Sequence, residues 1–221
     1  MPRWTPEETW AGKDVYIIGG GPSLRGFDWT PLRTECTIGC NTAFTLGAQV
    51  CKICFFGDSK WFKWKNTQAE LAQYSSQGGV VFTSAPSLQT TKLPWLWVMS
   101  RESKGLHEKA LGWNGNTGAS AINLALILGA KRVLLMGFDM GLSKENQSNW
   151  HTRIVDRNQI RPEVYRIFQN DFKYVVGDWK KKFADREIVN LTKMSGLPST
   201  MFPWVDPDVF WSEKMNLAKV S

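Results

Sequence analysis

The residues with the strongest chemical signature are Gly19, Gly20, Gly21, Pro22 and Ser23, in the run "IIGGGPSL" that ends a short apolar stretch. A turn of small residues between a strand and a helix lets backbone N–H groups approach an anion. A side chain at Gly21 is expected to fill that approach path. The run matches half of a dinucleotide-binding fingerprint. However, Leu24 stands where the third glycine would be, and Asn41 in "IGCNTAF" replaces the expected acidic residue. No G-K-[ST] occurs, which excludes a P-loop. Two aspartates end apolar runs, Asp58 in "CFFGD" and Asp139 in "LLMGFDMG". "NGNTGAS" sets Thr117, Gly118 and Ser120 at the opening of a helical pattern, a second place for an anion. Open parallel sheets bind ligands at the carboxyl ends of their strands, so these segments are expected to share one cleft. Each of them alone also reads as a helix cap or a tight turn.

For proton transfer the candidate is His151, in "SNWHTR"; the other histidine, His107, lies in the charged stretch "ESKGLHEKA". A neutral imidazole can take the proton of an acceptor hydroxyl near pH 7. A solvated loop histidine is the plainer alternative. The cysteines Cys36, Cys40, Cys51 and Cys54 have spacings that zinc sites use, but "CTIGC" and "CKICFF" read as buried strands, which favours core thiols. "VDPDVF" holds a D-x-D at Asp206 and Asp208, where a helix cap is expected rather than a metal. "GDSKWFKWKN" interleaves Lys60, Lys63 and Lys65 with Trp61, Phe62 and Trp64, which offers charge to phosphates and flat faces to bases. Arg153, Arg157 and Arg161 form a second basic run. The alternative for the first strip is an amphipathic helix capped by Asp58, with its aromatics inward.

These residues need a scaffold, and the pattern supplies one. Short apolar runs alternate with helical periodicity, the mark of an α/β fold with a mainly parallel sheet flanked by helices. Strands are expected near residues 15–18, 36–39, 52–56, 80–83, 96–99, 132–136 and 188–191. A helix capped at Asn116 or Thr117 should stop at Gly129, and a longer one should start at Pro162. In the longer helix Val164, Ile167, Phe168, Phe172, Val175, Trp179 and Phe183 repeat at helical spacing as a core stripe. The polar connection from Gly141 to Arg161 is a candidate lid. At 221 residues a single domain is expected. The net charge of +7 points to an anionic partner. No apolar run is long enough to span a bilayer, and "MPRWTPEETW" lacks a signal-peptide layout, so the cytoplasm is the expected location.

In order and spacing, "IIGGGPSL", "GCNTAF", "NTGASAINLALILGAKRVLLMGFDM" and "IVNLTKMSGLPSTMFP" resemble the bacterial sialyltransferase family. The set is still more similar to related proteins described as hydroxymethylpterin diphosphokinase-like, many of them from phages. The resemblance implies a Rossmann-like glycosyltransferase fold that uses a nucleotide-sugar as co-substrate and no metal. It also implies nucleotide contacts at Gly20, Gly21 and Asn41, donor contacts at Thr117 and Gly118, and a general base at His151. The family's asparagine in the glycine turn, its arginine before the Thr–Gly pair and its tyrosines after the strand-terminal aspartate are here Gly20, Gly115–Asn116 and Met140–Gly141. Those departures argue against a sialic-acid donor. Taken together, the expectation is glycosyl transfer, with His151 and Asp139 catalytic. The glycine turn, Asn41, Asp58, Thr117, Gly118 and Ser120 bind the donor. Lys60, Trp61, Lys63, Trp64, Lys65 and Arg153 bind the acceptor, a hydroxymethylated pyrimidine in phage DNA that is extruded into the pocket. The alternatives are a pterin diphosphokinase with Mg²⁺ on Asp58 and Asp139, a glycan-modifying enzyme, and a nucleotide-binding protein without catalysis.

Overall fold

The computed structural model describes residues 8–153 and 162–218. In chain order the strands are β1 (Asp14–Ile18), β2 (Cys36–Cys40), β3 (Ile53–Phe56), β4 (Val80–Thr83), β5 (Leu96–Val98), β6 (Arg101–Glu102), β7 (Leu111–Gly112), β8 (Arg132–Met136) and β9 (Glu187–Asn190). All but β6 and β7 form one sheet, in the order β5-β4-β3-β2-β1-β8-β9, and every neighbouring pair is parallel. β6 and β7 make a separate parallel ribbon. The helices are α1 (Ser59–Phe62), α2 (Thr67–Ser76), α3 (Thr117–Ile127), α4 (Pro162–Lys182) and α5 (Pro207–Ala218). This is the expected α/β architecture, with each of the seven expected strands in the main sheet.

The local reasons are plain. A parallel sheet is covered on both faces, so its strands are unbroken apolar runs; Val15–Ile18 and Val133–Met136 are buried throughout. Residues 119–127 of α3 are all buried, which makes it a helix enclosed by core. Asn116 caps α3 by accepting the Ala119 N–H at 2.7 Å, and Gly129 leaves it with φ of +89°. β1 lies between β2 and β8, so the sheet order reverses there and a crevice opens at the strands' carboxyl ends.

One expectation changes in detail, and the core-thiol and helix-cap readings hold. In α4 only part of the stripe is core: Phe172 and Val175 are fully buried, Val164 and Phe168 line a cavity, and Ile167 is 58% exposed. Cys40, Cys51 and Cys54 are buried free thiols whose pKa values burial pushes up, so they pack rather than react. Asp206 accepts the Asp208 N–H at 2.8 Å and Asp208 pairs with Lys193, the cap expected at α5. No helix among the described residues is long and apolar enough to cross a membrane.

Candidate active site

A cavity of about 560 Å³ lies at the carboxyl edge of the sheet, a size suited to a small-molecule ligand. It collects residues from distant parts of the chain: Gly19 to Gly21 after β1, Asn41 after β2, Asp58 and Trp61 after β3, and Asp139 after β8. Thr117 and Gly118 open α3 into it, and His151 and Arg153 reach it from the connection after β8. The expected cleft is therefore assembled. Ser120 is not part of its surface: it is fully buried, and its hydroxyl donates to the Gly112 carbonyl at 2.8 Å. Pro22, Ser23, Lys60, Lys63, Trp64 and Lys65 also stand outside the cavity lining.

The glycine turn is wired differently from the sequence expectation. The Gly19 N–H donates to the Met136 carbonyl at 2.8 Å, and the Gly21 N–H donates to the Gly137 carbonyl at 2.9 Å. The Ser23 N–H and hydroxyl each donate to one oxygen of the Asp139 carboxylate, both at 2.8 Å. The turn continues into a single short 3-10 turn, Pro22–Leu24, not an α-helix whose dipole would face a ligand. Within the turn, Gly20 alone keeps a backbone N–H without a partner among the described residues. The glycines are there for packing. A Cβ at Gly19 would meet the Gly137 carbonyl oxygen at 2.5 Å, and one at Gly21 would fall within the Asp139 carboxylate. A side chain at Gly21 thus strikes the protein's own clamp rather than a ligand's path. Burial raises the pKa of Asp139, and the two Ser23 bonds oppose the shift. With both oxygens occupied, this carboxylate braces the turn.

The carboxyl end of the described part of the lid is fastened at two points. Trp150 donates from its backbone to the Gly20 carbonyl at 3.1 Å and from its indole to the Gly19 carbonyl at 2.9 Å. Arg153 bonds Glu70 and Thr67 on α2 and lies over the rings of Trp64 and Phe44. His151 is held between these anchors, its ring edge-on to Trp150 at 4.9 Å. Its Nδ1 is buried and has no hydrogen-bond partner among the described residues. Burial, helped by the Arg153 charge, lowers its pKa from the usual 6.5 to about 4, although backbone bonds oppose the shift. The imidazole is therefore neutral at physiological pH. A depressed folded-state pKa gives stability that is complete above 6.5 and lost as pH falls towards about 4. By linkage the gap is worth about 3 kcal/mol. His151→Gln should thus gain stability relative to the parent as pH drops from 6.5 to 4, read by urea denaturation at each pH. A pH-independent difference would show that the imidazole is not held neutral.

The basic aromatic strip is corrected. Trp61 is only 4% exposed and packs with Phe44 and Phe56, and Phe62 is equally buried, so neither offers a face to a base. The reason is that Asp58 caps α1 through the Lys60 N–H at 2.8 Å, which turns the aromatics inward. Lys60, Lys63 and Lys65 remain in water, and Lys65 covers Trp64 at 4.7 Å. Arg153 is likewise spent on Glu70. Arg157 and Arg161 lie outside the described residues.

Sequence reasoning missed three cavity residues. Arg101 from β6 lies over the Trp113 ring at 4.0 Å, and Tyr165 comes from the first turn of α4. Asn149, with its amide oriented to satisfy its neighbours, donates to the Gly20 carbonyl at 3.2 Å. A two-residue strand in a polar stretch gives no periodic signal. Tyr165 could have been found as the polar position on an otherwise apolar helical face.

No protein-family model matches the chain, and no curated protein matches it. Solved structures do. The chain is similar to the sialyltransferase CstII from Campylobacter jejuni in complex with the substrate analogue CMP-3FNeuAc, with a TM-score of 0.52 and 16% identity over 87% of this chain and 86% of that one. The same enzyme with cytidine-5'-monophosphate gives 0.52 and 15% identity over 89% and 86%. The sialyltransferase CST-II with a trisaccharide acceptor and CMP gives 0.51 and 16% identity over 87% and 86%. At this identity the likeness is one of fold.

Proposed function

We propose that the protein is a glycosyltransferase that moves a sugar from a nucleotide-sugar to a hydroxyl acceptor. The observation that carries this reading is His151, an imidazole held neutral and lining the same cavity as the strand ends and the opening of α3. It would take the acceptor's proton while the sugar leaves its nucleotide. The fold shared with CMP-bound sialyltransferases supports the donor class.

For the acceptor we favour a hydroxymethylated pyrimidine in phage DNA. Support comes from the +7 charge and from Lys60, Lys63 and Lys65, exposed on the corner whose Asp58, Ser59 and Trp61 line the cavity. A diphosphokinase has less support, because both oxygens of Asp139 are held by Ser23 and Asp58 caps α1. The experiment incubates the protein with hydroxymethylpyrimidine-containing DNA or an oligosaccharide panel, each with a set of nucleotide-sugars, and weighs the products. A hexose or pentose added to the nucleoside supports the reading. Transfer to the oligosaccharides alone would move the acceptor to glycans. In a parallel incubation with ATP, Mg²⁺ and a hydroxymethylpterin, transfer of a diphosphoryl group to the pterin with release of AMP would replace the reading altogether. If the lysines meet DNA phosphates, changing all three to Gln should flatten the slope of log affinity against log salt by about 0.9 per lost contact on duplex DNA. An unchanged slope would remove this corner from the interface.

A further inference from the structure

The wiring of the glycine turn leaves a question, since a nucleotide donor must place its phosphate somewhere. Four charged side chains line the cavity: Asp58, Arg101, Asp139 and Arg153. Asp58 caps α1, Asp139 holds Ser23 and Arg153 pairs with Glu70. Arg101 has no carboxylate within ion-pair distance among the described residues, so it is the lone unpaired cation of the set.

Its position is built. Gly57 follows β3 without a side chain, and a Cβ there would overlap the Trp113 ring. That gap lets Trp113 lie against the strand end, and the Arg101 guanidinium rests on its face. Stacking on an aromatic face fixes the plane of a guanidinium and leaves its N–H edge available for bidentate bonds. Burial pulls the Arg101 pKa down, with no acid opposing it.

Independent donors lie in the same cavity. α3 has eleven residues, and its Thr117 and Gly118 N–H groups have no partner among the described residues. Asn116 is 8% exposed; its Oδ1 caps α3, but its Nδ2 is buried with no acceptor among the described residues. A buried donor without an acceptor is costly, so an acceptor arriving with a ligand is favoured there.

We propose that Arg101, with the Asn116 amide and the first N–H groups of α3, forms the site for the donor's anionic group, a phosphate or a carboxylate carried by the sugar. The site is therefore on the β6–α3 side of the cleft and not in the glycine turn. This rests on the nucleotide-sugar reading of the same cavity. It makes Arg101 a binding residue that selects charged donors.

The test titrates the full chain with CMP, UDP and GDP, with the matching nucleosides, and with inorganic pyrophosphate and N-acetylneuraminic acid as anion probes. Arg101→Gln should weaken nucleotide binding by about 10–100-fold, leave any nucleoside affinity unchanged, and keep the parent's melting temperature. Arg101→Lys keeps the charge but loses the stacked fork, and should fall between the two. Stronger dependence on Arg101 for pyrophosphate identifies the phosphate as the source, and for the sugar acid the carboxylate. Nucleotide binding undiminished in Arg101→Gln overturns the proposal and leaves the donor reading standing. Pyrophosphate or sugar-acid binding that needs Arg101, with no nucleotide bound, keeps the anion site and removes the donor reading. No binding of any probe removes both.

Discussion

His151→Ala should lower turnover by about 10²–10⁴-fold while donor affinity stays close to that of the parent, as expected for losing a general base that does not hold the nucleotide. The pH profile makes the claim sharper. The base works only when neutral, so its contribution is present above its pKa and lost as pH falls through it. Burial and the Arg153 charge hold that pKa at about 4, low enough to make the imidazole a weak base. A phosphate bound nearby would offset the Arg153 charge and raise it. The acid limb of kcat/KM should therefore sit near 4, with the limb of kcat at higher pH. Coincident limbs would mean that the donor does not tune the histidine. Full turnover in the alanine variant would assign the proton to another group.

Gly21→Ala should cost about 3–4 kcal/mol, which lowers the melting temperature by on the order of 10 °C for a chain of this size. The new methyl group would enter the space of the Asp139 carboxylate and stand 2.6 Å from the Gly137 carbonyl oxygen, which is backbone and cannot swing away. Asp139 would have to leave Ser23, so the variant loses packing and two charge-assisted bonds together. In a double variant with Asp139→Ala the two losses should be less than additive, because they remove the same clamp. A melting temperature within two degrees or so of the parent would mean that the turn is not braced as described.

The seven sheet strands were legible because parallel strands buried on both faces leave unbroken apolar runs, and α3 because its cap and Gly129 bracket it. The cleft was legible as a set of strand-end polar residues. Their roles were not. Whether Gly21 faces a ligand or Asp139 depends on a pairing across 116 positions, for which local pattern carries no signal. The direction of Trp61 hinged on α1 being a single turn, capped by Lys63 and followed by a sharp bend at Lys65, whose φ is +44°. The strip's alternation of lysine and tryptophan suits either face until that turn is known. Arg101 has no pattern at all: the role proposed for it rests on the lack of an acid beside it in space among the described residues.

The clamp between Ser23 and Asp139 also has a consequence for how the molecule comes into being. β1 pairs with β2 early along the chain, but its other edge stays open until β8 is available. A ribosome adding about 5–20 residues per second takes on the order of ten seconds to make the intervening chain. During that interval the edge of β1 and the apolar face that α3 will cover are exposed to other chains. Non-local parallel pairing of this kind also slows the search for the native state. The open edge of β1 in the nascent amino-terminal half is therefore exposed to pairing with other chains, and the Ser23–Asp139 clamp can close only after β8, which leads into Asp139, has docked.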